Sequence, residues 1–292
     1  MISLKIFNKN RKIALVFNLF ALLLITTFCL TIISTVSAEI TSEKNETKNA
    51  EPNYTITYFD KSAAVKGDVL KNKKISKYMP KTNLSKKIVS MCKKGSVIIK
   101  IGKGKPKLLI TAGIHGSEPG ANIATLRFIE KIKNKKINGS IYIIPFLIPK
   151  DTSLNKRVWY NPKTKSSADP NRISNKVGTP GYKVVQFAKK NNITSIIDVH
   201  TGYGLSGYKN GFIFANKNPT KKEKQWIKYI KKNANPYIQY NFPKNGMVRS
   251  YSRNNGIDTL TLEVEISKGS CSHWANIEYK MLYSAVKYFK IF

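Results

Sequence analysis

Short apolar runs alternate along the chain with polar segments that contain glycine, proline and asparagine. Apolar runs of about four to eight residues between turn residues are typical of buried strands, whereas apolar positions three or four residues apart indicate helices. The pattern predicts strands at 96–101, 107–112, 141–148, 193–200, 212–215 and 257–266, and helices at 121–133, 181–190, 221–232 and 274–289. The first two strands flank a glycine- and proline-containing segment, so we expect them to pair as a hairpin.

The strand predicted at 257–266 has the clearest period-two alternation. Its apolar side chains point to one face, and Thr261, Glu263 and Glu265 point to the other. One carboxylate on that polar face is a candidate for chemistry, and the alternation alone does not choose between Glu263 and Glu265. Three segments show neither period and are predicted to be loops, at 151–181, 202–207 and 240–255.

The first 38 residues match the pattern of an export signal. Four cations lie within residues 1–12, residues 13–33 are nearly all apolar, and Val36 and Ala38 are small residues at cleavage spacing. The apolar run is also close to the length of a membrane span, so an uncleaved anchor is the alternative. We expect a signal peptide at 1–38, a disordered spacer at 39–55 and one catalytic domain at 56–292. The protein is expected to be secreted or extracellular, or membrane-anchored through its N-terminal segment.

The chain is strongly basic, with 51 lysine and arginine residues, 16 aspartate and glutamate residues and a formal net charge of +35. A field of this sign attracts polyanions. The cations are mostly lysines spread over predicted helix faces, and no nucleic-acid-binding motif is present, which argues against specific nucleic-acid binding. The charge favours electrostatic association with anionic polymers of a cell envelope.

Two cysteines, Cys92 and Cys271, follow the predicted signal. An even number of cysteines in an exported protein is consistent with one disulfide. The alternative is two unpaired small core residues, because the sequence does not fix the distance between their Cα atoms.

Histidine is rare, and two of the three histidines stand at the ends of predicted strands. His115 follows the apolar run 108–112 in a turn that also contains Glu118, and His200 closes a second apolar run. Crevices beyond the carboxyl ends of strands bind ligands in open α/β sheets. Because a catalytic zinc typically has three nitrogen, oxygen or sulfur ligands and one open position, these three residues predict a zinc site. The third histidine, His273, is expected to be structural.

Four short motifs surround these residues in a fixed order: His115-Gly-Ser-Glu118, Asp169-Pro-Asn-Arg172, Asp198-Val-His-Thr-Gly202 and Thr261-Leu-Glu263. Together they resemble the zinc carboxypeptidase superfamily, which includes the succinylglutamate desuccinylase and aspartoacylase branch. The resemblance covers about residues 107–265. It implies an α/β fold with a mixed β-sheet sandwiched between helix layers, and one zinc ion per chain.

The resemblance also implies roles for further residues. Glu263 would be the catalytic base, and Arg157 would stabilise the oxyanion. Asn171 and Arg172 would hold a substrate carboxylate, since a guanidinium group binds a carboxylate through two parallel hydrogen bonds. Asp198 is expected to orient a metal ligand. Further substrate-binding candidates, of which the tyrosines could equally be packing residues, are Tyr240, Arg249 and Tyr251.

These observations predict a secreted, zinc-dependent hydrolase that cleaves an amide bond of a peptide or acyl amino acid with a free carboxylate. A metallocarboxypeptidase acting on envelope or scavenged peptides is favoured. An N-acyl amino acid deacylase is the alternative; the compact spacing between Glu118 and His200 favours it, and export disfavours it. A second alternative is a non-catalytic, cationic cell-surface binding protein, which the complete set of motifs disfavours.

Overall fold

The computed structural model of the chain describes residues 26, 53–202, 209–266 and 269–292. The chain divides into two compact units, residues 1–51 and 52–292, and nearly all described residues belong to the second. Apart from residue 26, the predicted signal peptide lies outside the described residues, as do most of the predicted spacer and of the loop 202–207. Within the described part, no helix has both the length and the apolar character needed to cross a membrane.

A mixed sheet of eight strands forms the centre of the second unit. The strands of the chain are β1 (Tyr54–Asp60), β2 (Ser96–Ile101), β3 (Lys103–Ala112), β4 (Asn138–Ile144), β5 (Trp159–Asn161), β6 (Ser166–Ala168), β7 (Ser195–Gly202), β8 (Phe212–Asn216), β9 (Tyr237–Asn241) and β10 (Asp258–Glu265). The sheet has the order β1-β2-β4-β3-β7-β10-β8-β9, and β5 and β6 form a separate hairpin. The pairs β4/β3, β3/β7 and β7/β10 at its centre are parallel.

Helices cover both faces of this sheet. They are α1 (Lys73–Tyr78), α2 (Asn83–Cys92), α3 (Pro119–Ile132), α4 (Pro149–Leu154), α5 (Pro180–Lys190), α6 (Lys221–Ala234), α7 (Val248–Arg253) and α8 (Cys271–Lys287), with 3₁₀ turns at Val69–Lys71 and Pro170–Arg172. Local signals fix several starts: Pro119 stands in the first turn of α3, and Thr220 and Glu223 form a capping box at α6.

The apolar core is divided by the sheet into two clusters. Leu108 and Ile110 of β3 belong to the cluster that includes residues of α3, α6 and α8, whereas Leu109 belongs to the cluster that includes residues of α5. Both faces of β3 are therefore buried, which explains why its sequence is a continuous apolar run and not an alternation. This confirms the predicted α/β fold with a mixed sheet between helix layers.

The predicted hairpin between 96–101 and 107–112 is wrong. β4 lies between the two strands, with Ile143 opposite both Ile99 of β2 and Ile110 of β3. The helix α3 connects β3 to β4, and such a crossover places the second strand parallel to the first and beside it. β4 also ends at Ile144, earlier than predicted, because Pro145 has no N–H to donate to a ladder.

Several short elements lie where the sequence predicted loops or no regular structure. The segment 151–181 contains the β5–β6 hairpin and a 3₁₀ turn, and the segment 240–255 contains α7. The stretch before residue 96 contains β1, α1 and α2, and β1 begins inside the predicted spacer. The hairpin strands, the 3₁₀ turn, α1 and α7 have six residues or fewer, too few to repeat an apolar period. β1 has seven residues and α2 has ten, so length does not explain why they were missed; in α2 the buried residues Leu84, Ile88 and Cys92 recur every four positions.

Cys92 and Cys271 are free and buried. The structure therefore has two unpaired core cysteines and no disulfide between them. Burial raises the pKa of Cys271 to about 11 and also raises the pKa of Cys92. Both thiols therefore stay protonated at neutral pH and pack as small apolar groups.

Candidate metal centre and active site

Three adjacent parallel strands bring the candidate site residues to one edge of the sheet. β3, β7 and β10 run in the same direction, and His200 in β7 lies opposite Glu263 in β10. β3 ends at Ala112, just before the turn that contains His115. The carboxyl ends of the three strands therefore meet where open α/β sheets bind ligands.

His115, Glu118 and His200 are buried, and one ligand atom from each lies within 4.8 Å of the others. Nδ1 of His115 is 2.7 Å from Oε1 of Glu118, and Nδ1 of His200 is 2.8 Å from Oε2 of the same carboxylate. The turn that carries the first two residues needs glycine at position 116, because a Cβ there would lie 2.0 Å from the carbonyl carbon of Asp151.

A second carboxylate faces the other nitrogen of each imidazole ring. Nε2 of His115 is 2.9 Å from Asp169, and Nε2 of His200 is 2.9 Å from Asp198. A neutral imidazole has only one N–H, so it satisfies only one of its two carboxylates. Although burial opposes protonation, Glu118 and Asp169 raise the pKa of His115, and Asp198 and Glu118 raise the pKa of His200 well above its usual value. The arrangement requires additional positive charge between the rings and Glu118.

A divalent metal ion held by the two Nδ1 atoms and by Glu118 would supply this charge. Two imidazole nitrogens and one carboxylate are the ligand set of one class of catalytic zinc site. Hydrogen bonds donated by the two Nε2–H groups to Asp169 and Asp198 would fix the ring tautomers that leave both Nδ1 atoms free for the metal. The residues present therefore fit a bound zinc ion.

Glu263 lines the same cavity as the three candidate ligands. A Cβ at Gly202 would lie 2.4 Å from Oε1 of Glu263, so glycine at 202 provides the space for this carboxylate. Burial raises the pKa of Glu263 to about 7, and the charge of Glu118 adds to the rise. A carboxyl group with a pKa near neutrality can both accept and release a proton. Glu265, on the same strand face, is not among the described residues that line the cavity.

Arg157 lies at the mouth of the centre with its side chain 48% exposed. Nη1 donates to Oε1 of Glu118 over 3.2 Å, and Nη2 donates to Oδ2 of Asp169 over 3.0 Å. The structure thus places a cation beside the candidate metal ligands, as the resemblance implied.

Asn171 and Arg172 lie on the wall of the cavity next to α7. Oδ1 of Asn171 accepts a bond of 2.8 Å from the backbone N–H of Val248, and Nδ2 faces Nε2 of His200 at 3.5 Å. Nη1 of Arg172 donates to the carbonyl oxygen of Asn171 over 2.8 Å. The Asn171 side chain therefore helps to hold α7, while the guanidinium group of Arg172 remains on the cavity wall.

Arg249 is a second arginine on this wall, and it is only 2% exposed. Nη2 donates to Oδ1 of Asn241 over 2.6 Å, whereas Nε and Nη1 have no partner within the described part of the chain. Burial lowers the pKa of Arg249 to about 10, which leaves the side chain charged at neutral pH. A buried cation with two unsatisfied donor nitrogens is costly, so an anionic ligand group would be favoured here.

The structure does not bring Tyr240 and Tyr251 to the cavity within the described residues. Tyr240 is about half exposed on β9. Tyr251 stacks on Tyr182, and its hydroxyl accepts a bond of 2.9 Å from Nε2 of Gln186. Tyr251 is therefore a packing residue, which was the alternative to a substrate-binding role. Two phenylalanines, Phe214 and Phe242, line the cavity within the described residues, and no sequence period indicates Phe242. His273 is exposed in the first turn of α8, outside the group of candidate ligands.

Two acidic residues at the centre were not predicted. Asp169 faces His115 across a separation of 54 residues, and its motif alone does not reveal this contact. Glu278 on α8 is fully buried, and neither of its carboxylate oxygens has a partner among the described residues. Burial, with the nearby charge of Glu263, raises the pKa of Glu278 well above its usual value. Its helical spacing from Trp274 on the inward face of α8 is the sequence signal that could have identified it.

The family comparison identifies the class of protein. The succinylglutamate desuccinylase/aspartoacylase catalytic domain family matches residues 104–275, more than half of the chain. The chain belongs to this family of zinc carboxypeptidase-like hydrolases, which confirms the resemblance seen in the motifs. No curated protein sequence matches the chain.

Solved structures share the fold at low identity. Bovine thrombin-activatable fibrinolysis inhibitor, in complex with tick carboxypeptidase inhibitor, is 15% identical with a TM-score of 0.53 over 66% of this chain and 84% of that one. A succinylglutamate desuccinylase/aspartoacylase from Rhodobacter sphaeroides is 18% identical with a TM-score of 0.51, over 67% of this chain and 59% of that one. The tripeptide-bound cell shape determinant Csd4 protein from Helicobacter pylori is 17% identical with a TM-score of 0.50, over 66% and 55%.

Proposed function

We propose that this protein is a zinc-dependent metallocarboxypeptidase that removes the last residue of a peptide. The observation that carries the proposal is a single cavity lined by His115, Glu118 and His200, by Glu263, and by two arginines on the wall. The first three fit a zinc ion, the fourth fits a general base, and the arginines fit a substrate carboxylate. Zinc-dependent hydrolysis of an amide bond next to a free carboxylate uses these three functions together.

The residues of the chain would divide the reaction among them. A bound zinc ion would lower the pKa of a water molecule and polarise the scissile carbonyl. Glu263, with a pKa of about 7, would take the proton of the attacking water and pass it to the leaving amine. Arg157 would stabilise the negative charge that develops on the carbonyl oxygen. Asp169 and Asp198 would keep the two histidine rings in place.

The wall of the cavity would select the substrate through charge. Arg172 would hold the terminal carboxylate, with Nδ2 of Asn171 close by. Arg249 has two unpartnered nitrogens within the described part, which supports a second anionic group on the substrate. Free and acidic leaving residues would therefore be preferred over amidated or basic ones.

An N-acyl amino acid deacylase is the second proposed function, and the family match supports it. Peptide substrates are supported by the tripeptide in the Helicobacter pylori structure and by the carboxypeptidase inhibitor in the bovine complex. Both functions use the same centre and differ in the group on the acyl side of the scissile bond. The cluster of candidate ligands with Glu263 disfavours a solely non-catalytic binding role.

We also propose that the protein is exported and acts on envelope or scavenged peptides. The support is the signal-like pattern of residues 1–38 and the net charge of +35, which would hold the protein near anionic polymers. Mass spectrometry of the protein recovered from its native cells would find residue 39 as the first residue if the signal is cleaved. An intact N terminus in the cytoplasmic fraction would contradict export.

The test of the proposed reaction combines substrate and enzyme variants. Peptides with free and with amidated C termini, together with acyl amino acids, are given to native and Arg172→Ala enzyme, and products are identified by mass spectrometry. Amidation should lower kcat/KM by about two orders of magnitude for native enzyme, since a charged arginine loses its partner. The same change should have little effect in Arg172→Ala, because no partner is left to lose. Equal cleavage of free and amidated peptides by native enzyme would exclude a carboxypeptidase.

A further inference from the structure

A second cavity lies next to the candidate active site. It has a volume of about 340 Å³, compared with about 290 Å³ for the cavity that contains the candidate metal ligands. Phe242 and Pro243 line both cavities and form the ridge between them. Phe242 is 75% exposed, which is unusual for a large aromatic side chain and leaves its ring available to a ligand that crosses the ridge.

The wall of the second cavity is built on a buried hydrogen-bond network. Glu223 has no exposed surface, and it accepts bonds from Nδ2 of Asn216, from Nη1 of Arg253 and from the backbone N–H groups of Thr220 and Thr259. The charge of Arg253 is thereby balanced by Glu223. The network holds Asn216 and Arg253 in fixed positions on the cavity wall.

This wall carries one buried acceptor without a partner in the described part and one exposed cation. Nδ2 of Asn216 is committed to Glu223, so its Oδ1 is the free end of the amide; Oδ1 is buried and has no partner among the described residues. Lys217, next to it, is exposed and adds a positive charge. The wall therefore offers an acceptor for an N–H donor, a cation for a carboxylate and, at the ridge, an aromatic face. Peptide units carry the matching groups.

The position of this cavity relates it to the leaving side of the substrate. Arg249 is bonded to Asn241, the residue before Phe242, and a Cβ at Gly246 would lie 2.0 Å from the carbonyl oxygen of Arg172. Arg249 and Arg172 thus lie next to residues on either side of the ridge, Asn241 before it and Gly246 after it. The candidate metal ligands line only the first cavity. A substrate whose leaving residue lies at the arginines would meet the second cavity next.

We propose that the cavity lined by Asn216 and Lys217 is a subsite for additional peptide units on the leaving side of the scissile bond. This inference rests on the proposed function. The additional units would cross Phe242, donate an N–H to Oδ1 of Asn216 and place an acidic group near Lys217. They could be joined to the leaving residue through its main chain or through its side chain, and the two connections are distinguished by the experiment.

The experiment uses the full chain loaded with zinc and three peptides with the same acyl part. The reference peptide ends in ε-acetyl-lysine, the branched peptide carries two further residues with a free carboxylate on the lysine ε-nitrogen, and the linear peptide carries the same two residues on the lysine carboxyl group. Native enzyme should show a kcat/KM about tenfold higher for one extended peptide than for the reference. Phe242→Ala and Lys217→Ala should each reduce this ratio to less than about threefold.

Tyr160→Ala and Lys232→Ala are matched controls at exposed positions outside both cavities, and they should leave the ratio unchanged.

Each outcome separates the subsite from the proposed reaction. A gain with the branched peptide supports both, whereas a gain with the linear peptide supports the subsite and rejects cleavage limited to the last residue. Cleavage of the reference with no gain from either extension overturns the subsite and keeps the carboxypeptidase. If no peptide is cleaved, dissociation constants of the same peptides measured with Glu263→Gln decide, and equal values for all three overturn the subsite.

Discussion

Glu263 and Glu265 lie two residues apart on one strand, but their surroundings differ. Both carboxylates lie on the same face of β10, but only Glu263 lines the cavity within the described residues. Its partial protonation near neutral pH follows from burial and from the charge of Glu118, neither of which can be seen in a strand pattern. The position of a carboxylate along the strand, and not only the strand face, therefore decides whether it can take part in the chemistry.

Replacing Glu263 by glutamine tests this assignment. Glutamine keeps the shape of the side chain but cannot accept the proton of water, so kcat should fall by at least about a hundredfold. Zinc content, measured by atomic spectroscopy, should stay at the native value because Glu263 is not one of the three candidate ligands. Glu265→Gln is the matched control and should keep kcat within about threefold. An inactive Glu265→Gln beside an active Glu263→Gln would show that Glu265, and not Glu263, is the general base.

At the residue scale, the structure brings together residues that rarity and position single out. His115 and His200 were identified because the sequence contains only three histidines and two of them stand at strand ends, and the structure brings them together with Glu118. The contact of Asp169 with His115 depends on a loop that folds back across 54 residues, so no local pattern reports it. The unpartnered nitrogens of Arg249 are likewise visible only once its neighbours are known.

At the scale of elements, most periodic segments are predicted from the sequence, β1 and α2 are missed, and the one predicted strand pairing is wrong. β2, β10 and α6 lie close to their predicted bounds, because each repeats its period several times. The neighbour of β2 was predicted wrongly, since the insertion of β4 depends on the crossover through α3. α7 has six residues, too few for a period, although it carries Arg249.

The contact between β1 and α5 provides a prediction at this scale. Nζ of Lys183 is 2.6 Å from Asp60, whose side chain is 8% exposed. Burial opposes ionisation, but the bonds from Lys183 and from the Ser62 backbone N–H lower the pKa of Asp60 below its usual value. A carboxylate with a lowered folded-state pKa stabilises the fold above its unfolded pKa of about 3.9, and this contribution is lost as the pH falls through the folded value.

Asp60→Asn should therefore lower the free energy of unfolding at pH 7 by about 1–2 kcal/mol in urea denaturation. The difference from the native protein should shrink as the pH falls below about 4, because the native carboxylate is then protonated as well. Asp68→Asn is a matched control, since Asp68 pairs with Lys93 at 3.3 Å in a more exposed setting, and its effect should stay below about 1 kcal/mol. A gap for Asp60→Asn that is the same at pH 7 and at pH 2.5 would contradict the ion-pair explanation.

At the scale of the whole molecule, positive and negative charge are separated. The chain carries a net charge of +35, yet five of its 16 acidic residues lie at or near the candidate metal centre: Glu118, Asp169, Asp198, Glu263 and Glu278. A positive surface attracts anionic groups from a distance, while the carboxylates at the centre favour a cation there. Surface charge and centre are thus both compatible with the proposed function, in which an anionic substrate would meet a metal ion.

Metal binding at the acidic centre should stabilise the whole folded domain. A ligand that binds only the folded state stabilises it by about 4 kcal/mol when its free concentration is about a thousandfold above Kd. For a domain of this size, about 1 kcal/mol raises Tm by roughly 2–4 °C, so saturating zinc should raise Tm by about 8–16 °C. Removal of zinc with a chelator should reverse the rise.

In calorimetry, His115→Ala and His200→Ala should each lose most of this response, because a site with two of its three ligands binds zinc far more weakly. His273→Ala is the control, since this histidine is exposed and lies outside the ligand group, and its response to zinc should equal that of the native protein. A native Tm that zinc does not change, or a response lost in His273→Ala and kept in His115→Ala, would reject the site.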